Sequence, residues 1–197
     1  EKYQLCQDKG ILIFAVPILW EQNIVSEQVH WQSIIEILDV LSHQDVNVVI
    51  SLHPHCDRSL YQWIEEKYSM KIISERLKDI LVVADIFVAA YSSTIRWAIA
   101  MDILVVNLDL WGLNMRQYKD LTGYRTATTI SEIDGFLASI PTRSNFNGLD
   151  GGQSPPSAKN EFVVDGKAKE RLLGFIQSLD GSSLRPQTTP KHAEPVH

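Results

Sequence analysis

The stretch IFVAAYSSTIRWAIAMDILVVNL, residues 86–108, decides the fold class. It opens on five apolar residues (86–90), turns through Tyr91-Ser92-Ser93-Thr94, runs as a helix to about Met101 and closes on a second apolar run, 103–108. Continuous β-rich runs without polar alternation suit parallel strands covered on both faces. A strand, a helix and a strand in that order make one βαβ unit.

The same rhythm extends outward in both directions. Residues 11–16 (ILIFAV) and 47–52 (NVVISL) read as buried strands, and 71–73 as a brief one. Ser26 is placed to cap a helix over 26–42, whose apolar stripe is Val29, Ile34, Ile37, Leu38 and Leu41. Helices are also predicted over 60–68, over 74–84 with Leu77, Ile80, Leu81 and Ala84 on one side, and over 131–140 with Glu132 in the first turn. Trp31, Trp63 and Trp97 fall inside these helices, as packing residues. The alternation predicts an α/β fold: an open, doubly wound parallel sheet in three α/β/α layers, Rossmann-like.

Residues 1–140 form this domain. Residues 141–160, with Gly148, Gly151, Gly152, Pro155 and Pro156, read as a flexible loop. Residues 161–180 hold a closing helix that presents Leu172, Leu173, Phe175 and Ile176 to the domain, and 181–197 form a polar, disordered tail.

Composition narrows the function classes. With 18 Lys+Arg against 24 Asp+Glu, the net charge is −6, which argues against a nucleic-acid binder. The 197 residues suffice for a real core, and two cysteines, Cys6 and Cys56, are too few for a disulfide framework. No apolar run reaches the roughly 20 residues that span a bilayer. The chain starts at Glu1 with no basic-then-apolar leader, and we read it as a piece of a longer polypeptide.

In open α/β sheets ligands bind beyond the carboxyl ends of the strands. Three such ends stand out. His53 follows the second strand, and Pro54 excludes a helix there; its ring can donate to a phosphate oxygen or sit in solvent. Tyr91-Ser92-Ser93-Thr94 opens a helix, where unpaired N–H groups and small hydroxyls admit a phosphate, although Ser and Thr also cap helices anywhere. The loop 109–125, with Trp111, Arg116, Tyr118 and Gly123, can close over a base or sugar or simply pack, and Trp20-Glu21 is placed to face the same cleft. His53, His55 and Cys56 lack a second ligand pair for zinc. There is no GxGxxG, Walker or GxSxG pattern, and no acidic pair after the first strand of the kind a receiver domain carries.

Taken in order, His53-Pro54, the segment 71–84, Ala84-Asp85-Ile-Phe-Val leading into Tyr91-Ser-Ser-Thr94, and ILVVNL resemble the C-terminal half of GT-B glycosyltransferases over about residues 11–179. The likeness is to bacterial surface-polysaccharide enzymes of the CDP-glycerol glycerophosphotransferase, capsule and polysialyltransferase kinds, and more distantly to nucleotide-sugar epimerases. Residues 109–123, and Asp165-Gly-Lys-Ala168 with Glu170-Arg171, are similar to that family's loop and closing helix. The resemblance implies that His53, Pro54, Ser92, Ser93 and Thr94 hold the phosphates of a nucleotide-activated sugar or CDP-glycerol, with a glycan as acceptor. It implies no cofactor and no metal, an N-terminal domain of the same polypeptide that supplies the catalytic base, and a cytoplasmic location, at the inner face of the membrane in the parent. Epimerases carry Gly-Gly and a Glu pair after the serine; Ser93, Thr94, Arg96 and Trp97 stand there instead, against that activity. A non-catalytic flavodoxin-like interaction domain is the alternative, with an exposed apolar patch as its working surface.

Overall fold

Six short strands line up in parallel in the computed structural model, which describes residues 3–114, 117–121, 123–140 and 170. They are β1 (Ile11–Ala15), β2 (Asn47–Ser51), β3 (Lys71–Ile72), β4 (Ile86–Ala89), β5 (Leu104–Leu108) and β6 (Tyr124–Ala127). Their order across the sheet is β3-β2-β1-β4-β5-β6. Phe14 of β1 lies opposite Ile50 on one side and Val88 on the other.

Because successive side chains in a strand point to opposite faces, the apolar runs feed two cores. Leu12, Phe14, Ile50 and Val88 face one layer, where α1 (Glu27–Ser42) supplies Ile34, Ile37, Leu38 and Leu41 and α5 (Ile130–Ala138) supplies Ile133 and Leu137. Ile13, Val49, Phe87 and Val105 face the other layer, with Leu81, Tyr124, and Ile95 and Ile99 of α4 (Ile95–Ala100). This is the three-layer, doubly wound, Rossmann-like arrangement expected from the sequence. The chain divides into two units, Glu1–Phe162 and Val163–His197, and the sheet lies wholly in the first.

Local signals explain most element ends. The Ser26 hydroxyl accepts the Val29 amide at 3.3 Å and starts α1. Thr129 and Glu132 form a capping box that starts α5, the hydroxyl taking the Glu132 amide and the carboxylate taking the Thr129 amide. The backbone amides and the hydroxyl of Thr128 and Thr129 around that carboxylate hold it below the usual carboxylate range.

Several expectations need correction. The α1 stripe is His30, Ile34, Ile37, Leu38 and Leu41, while Val29 stands 46% exposed. Positions 30, 34, 37, 38 and 41 share one face, and Val29 lies one residue off it. The helix expected over 74–84 shrinks to α3 (Leu77–Ile80) and a 3-10 turn, Leu81–Val83, because three consecutive apolar residues cannot all face one sheet; Val82 and Val83 point outward. The helix over 60–68 splits into a 3-10 turn, Arg58–Tyr61, capped by Asp57, and α2 (Trp63–Tyr68). Strand β6 straddles the end of the expected loop 109–125 and has no sequence signal: Arg125 and Thr126 give it no apolar run, and it sits at the sheet edge beside β5. Trp97 is 49% exposed rather than packed, whereas Trp31 and Trp63 lean on the first core. The loop 141–160, the closing helix 161–180 and the tail 181–197 lie outside the described residues, Glu170 apart.

Candidate functional site

The strand order reverses at β1, which has β2 on one side and β4 on the other. Crossovers leave the sheet in opposite directions there and open a crevice over the carboxyl ends of the strands. A cleft of about 950 Å³ occupies that position, within the range of small-molecule sites. His53, Pro54, Ser92, Ser93 and Thr94 all line it, so two turns 40 residues apart in sequence meet at one cavity.

On the β2 side, the His55 amide donates to Nδ1 of His53 at 3.2 Å, and the two rings meet edge to face at 5.0 Å. With Nδ1 accepting, the proton of the neutral ring is assigned to Nε2. Burial, reinforced by His55, lowers the His53 pKa below its ordinary value, with Glu21 pulling the other way. At neutral pH His53 is therefore an uncharged ring carrying one N–H donor.

On the β4 side the chain turns sharply at Tyr91, whose φ is +52°. The Ser92 hydroxyl accepts the Thr94 amide at 3.2 Å and keeps its own proton free to donate, and Ser93 is exposed. Of the hydroxyls that could cap the helix, Ser92 takes the Thr94 amide, while Thr94 occupies the N-cap position of α4 in helical conformation without a side-chain hydrogen bond. Six residues of helix carry only a small dipole, so the turn offers hydroxyls and amides more than a helix field.

A third wall was not singled out from the sequence. Arg58, Arg76 and Lys78 line the cleft from the β2 and β3 ends, and among the described residues Glu75 is the carboxylate beside them. The Arg58 guanidinium also donates to the carbonyls of Ile72 (2.7 Å) and Ile73 (3.1 Å), tying the end of β3 in place. In a chain of net charge −6, three cations around one cavity concentrate positive potential where an anion would sit. The signal was their position just past strand ends, hidden because β3 is only two residues long.

Other candidates resolve into packing. Glu21 accepts the Tyr61 hydroxyl at 3.3 Å, Tyr61 is 3.3 Å from Nε2 of His30, and Trp20 lies 6.4 Å from both His30 and Trp31. Cys56 lines the cleft with its thiol pKa pushed up by burial, which suits an inert thiol. Trp111 donates to Ser33 of α1, and Tyr118 packs edge-on against Tyr124 in the second core; neither lines the cleft, nor does Gly123, so of the two readings of that loop these residues follow the packing one. Arg116 lies outside the described residues. Among the described residues no three His, Cys, Asp or Glu side chains group as metal ligands, and no helix is long and apolar enough to cross a membrane.

No protein-family model matches the chain. No curated protein matches it either. Among solved structures, the chain is similar to E. coli heptosyltransferase WaaC with ADP-2-deoxy-2-fluoro heptose, at 11% identity and a TM-score of 0.48, over 68% of this chain and 45% of that one. It is also similar to the wall teichoic acid polymerase TagF, at 15% identity and a TM-score of 0.45, over 90% of this chain and 45% of that one. A second TagF structure, soaked with CDPG, gives 16% identity and a TM-score of 0.46, over 90% of this chain and 44% of that one. The chain thus spans less than half the length of these proteins.

Proposed function

We propose that the chain is the donor-binding half of a GT-B-type glycosyl- or glycerophosphoryl-transferase of surface-polysaccharide synthesis, and that its cleft takes a nucleotide-activated sugar or CDP-glycerol. The observation that carries this reading is the meeting of His53 and Ser92–Thr94 with Arg58, Arg76 and Lys78 around one cleft at the reversal of strand order. Departure of a nucleoside diphosphate or monophosphate develops negative charge on its phosphate oxygens. Fixed N–H and O–H donors stabilise that charge without reorganising. His53 Nε2–H and the Ser92 and Ser93 hydroxyls are such donors, and the cationic wall adds long-range attraction. An N-terminal half of the same polypeptide would present the glycan acceptor and the base, so this chain alone binds donor and turns over little. Its work would be done in the cytoplasm, at the inner membrane face.

The test is a thermal-shift series against inorganic phosphate, CMP, CDP, UDP and GDP, confirmed by calorimetry. A ligand that binds only the native state adds about 2.7 kcal/mol at a hundredfold excess over Kd. A selective rise with one nucleotide supports the reading and names the base. No rise and no heat with any of them overturns it in favour of an interaction domain.

A further inference from the structure

Tyr91 is a bulky aromatic residue held in left-handed backbone conformation, at φ +52°, at the mouth of the cleft. Such a conformation persists only where the surroundings over-determine it, and it tends to occur at working sites. Two buried side chains at the end of β5 do the holding. Asn107, fully buried, accepts the Tyr91 amide on Oδ1 at 3.3 Å. Asp109, 7% exposed, accepts the Tyr91 hydroxyl. The same carboxylate takes the amides of Leu113 (2.7 Å) and Asn114 (2.9 Å).

The arrangement runs against ordinary core economy. Asn107 pairs in register with Ala89 of β4 and Thr126 of β6, is the one polar residue of β5, and its Nδ2 is buried without a hydrogen bond. An apolar residue there would pack without an orphaned donor. A glycine at 91 would adopt the positive φ without strain and would need no partner. Neither Asn107 nor Asp109 lines the cleft, yet both act on the one residue that turns β4 into Ser92-Ser93-Thr94.

We infer that Asn107 and Asp109 are positioning residues that, through Tyr91, fix Ser92–Thr94 in ligand-receiving geometry and tie the loop of Leu113 and Asn114 to the occupancy of the cleft. The inference rests on the donor reading above only for the ligand; the latch itself is a property of the free protein. Because Asp109 is shared, the coupling is reciprocal: filling the cleft orders residues 109–114, and loosening that loop weakens the site.

The experiment uses the full chain as wild type, Tyr91→Phe, Asp109→Asn and the double variant. Hydrogen exchange of the amides over 91–95 and 109–114 is read without ligand and with CDP, beside the CDP affinity and the melting temperature. Tyr91→Phe removes one hydroxyl and keeps the ring, so exchange over 91–95 should quicken and CDP binding weaken by about tenfold, with little change in melting. Asp109→Asn turns one of the two accepting oxygens into an N–H donor and should also quicken exchange over 109–114, where Leu113 and Asn114 donate to the carboxylate. Over 91–95 the double variant should lose less than the sum of the two single variants, since the Tyr91–Asp109 contact is common to both. Unchanged exchange over 91–95 in both single variants overturns the latch, whether or not the wild type binds CDP. Faster exchange with unaltered CDP affinity overturns the positioning role. Faster exchange in a protein whose wild type binds neither CDP nor phosphate upholds the latch and overturns the donor reading. If Tyr91→Phe fails to fold, Asp109→Asn carries the same comparisons.

Discussion

The backbone amide of His55 donates to Nδ1 of His53 at 3.2 Å, which leaves the ring proton of His53 on Nε2. One short turn thereby fixes a tautomer beside a cleft that also collects Ser92, Ser93 and the cations Arg58, Arg76 and Lys78. The next consequence is a dependence on pH. Burial first, then His55, holds the His53 pKa below its ordinary value. An anion in the cleft favours the charged ring and raises that pKa, so affinity is lower while His53 is neutral, climbs as pH falls through the raised pKa of the complex, and levels off below the depressed pKa of the free protein. Between about pH 7 and pH 5, wild type should gain affinity for CDP relative to His53→Gln, which keeps a donor but cannot charge. The ratio of the two affinities at each pH cancels titration of the phosphate itself. A flat ratio means that His53 does not face the anion.

Ser92 and Ser93 should separate by role. The Ser92 hydroxyl accepts the Thr94 amide, so Ser92→Ala removes a turn contact as well as a ligand donor. It should lower stability by about 0.5–1.5 kcal/mol and weaken CDP binding too. Ser93 is exposed, and Ser93→Ala should leave melting unchanged while weakening CDP binding by about 1–3 kcal/mol if it donates to a phosphate. Equal melting and equal affinity for Ser93→Ala and wild type would remove Ser93 from the site.

What the sequence disclosed follows from how local each signal is. β1, β2, β4 and β5 are runs of adjacent apolar residues, and α1 starts at a serine cap, so pattern alone located them. β6 mixes Arg125 and Thr126 with two buried ends and owes its existence to β5, a contact that no local pattern records. His53-Pro54 and Tyr91–Thr94 were legible because strand-end turns are short and polar. The cationic wall was not, since Arg58, Arg76 and Lys78 converge only once β3 pairs with β2. Asn107 is one polar residue in an apolar strand, and its partner, the Tyr91 amide, lies in the turn after the neighbouring strand β4, 16 residues earlier.

His30 should give the protein an acid-sensitive step. Its side chain is fully buried on α1, with Nε2 near the Tyr61 hydroxyl and Nδ1 without a partner. Burial lowers its pKa, against weaker opposite pulls from Glu21 and Glu27. The unfolded chain, with a pKa near 6.5, then binds more protons than the folded one in the window below that value. Stability from this group is whole above about pH 6.5 and declines as pH falls toward the folded pKa, by about 1.4 kcal/mol for each unit of depression. Urea midpoints of wild type should drop between pH 7.5 and pH 5.5, whereas His30→Gln should drop less over that span and keep the part that His53 contributes. Parallel slopes would mean that His30 titrates alike in both states.

The three cations of the cleft should divide into one structural and two electrostatic groups. Arg58 donates to two carbonyls at the end of β3, and charge-assisted bonds of this kind contribute about 1.5–3 kcal/mol each way when broken. Arg58→Ala should therefore lower the melting temperature as well as the affinity for CDP. Arg76 and Lys78 are exposed and line the same wall, so their effect should be long-range and screened by salt. Arg76→Ala with Lys78→Ala should leave melting unchanged, weaken CDP binding at low salt, and lose most of that difference when the Debye length falls to about 3 Å at 1 M salt. Calorimetry at two ionic strengths reads both effects. If the double variant weakens binding equally at low and high salt, the two side chains contact the ligand directly; if it changes nothing at either, the anion does not sit against this wall.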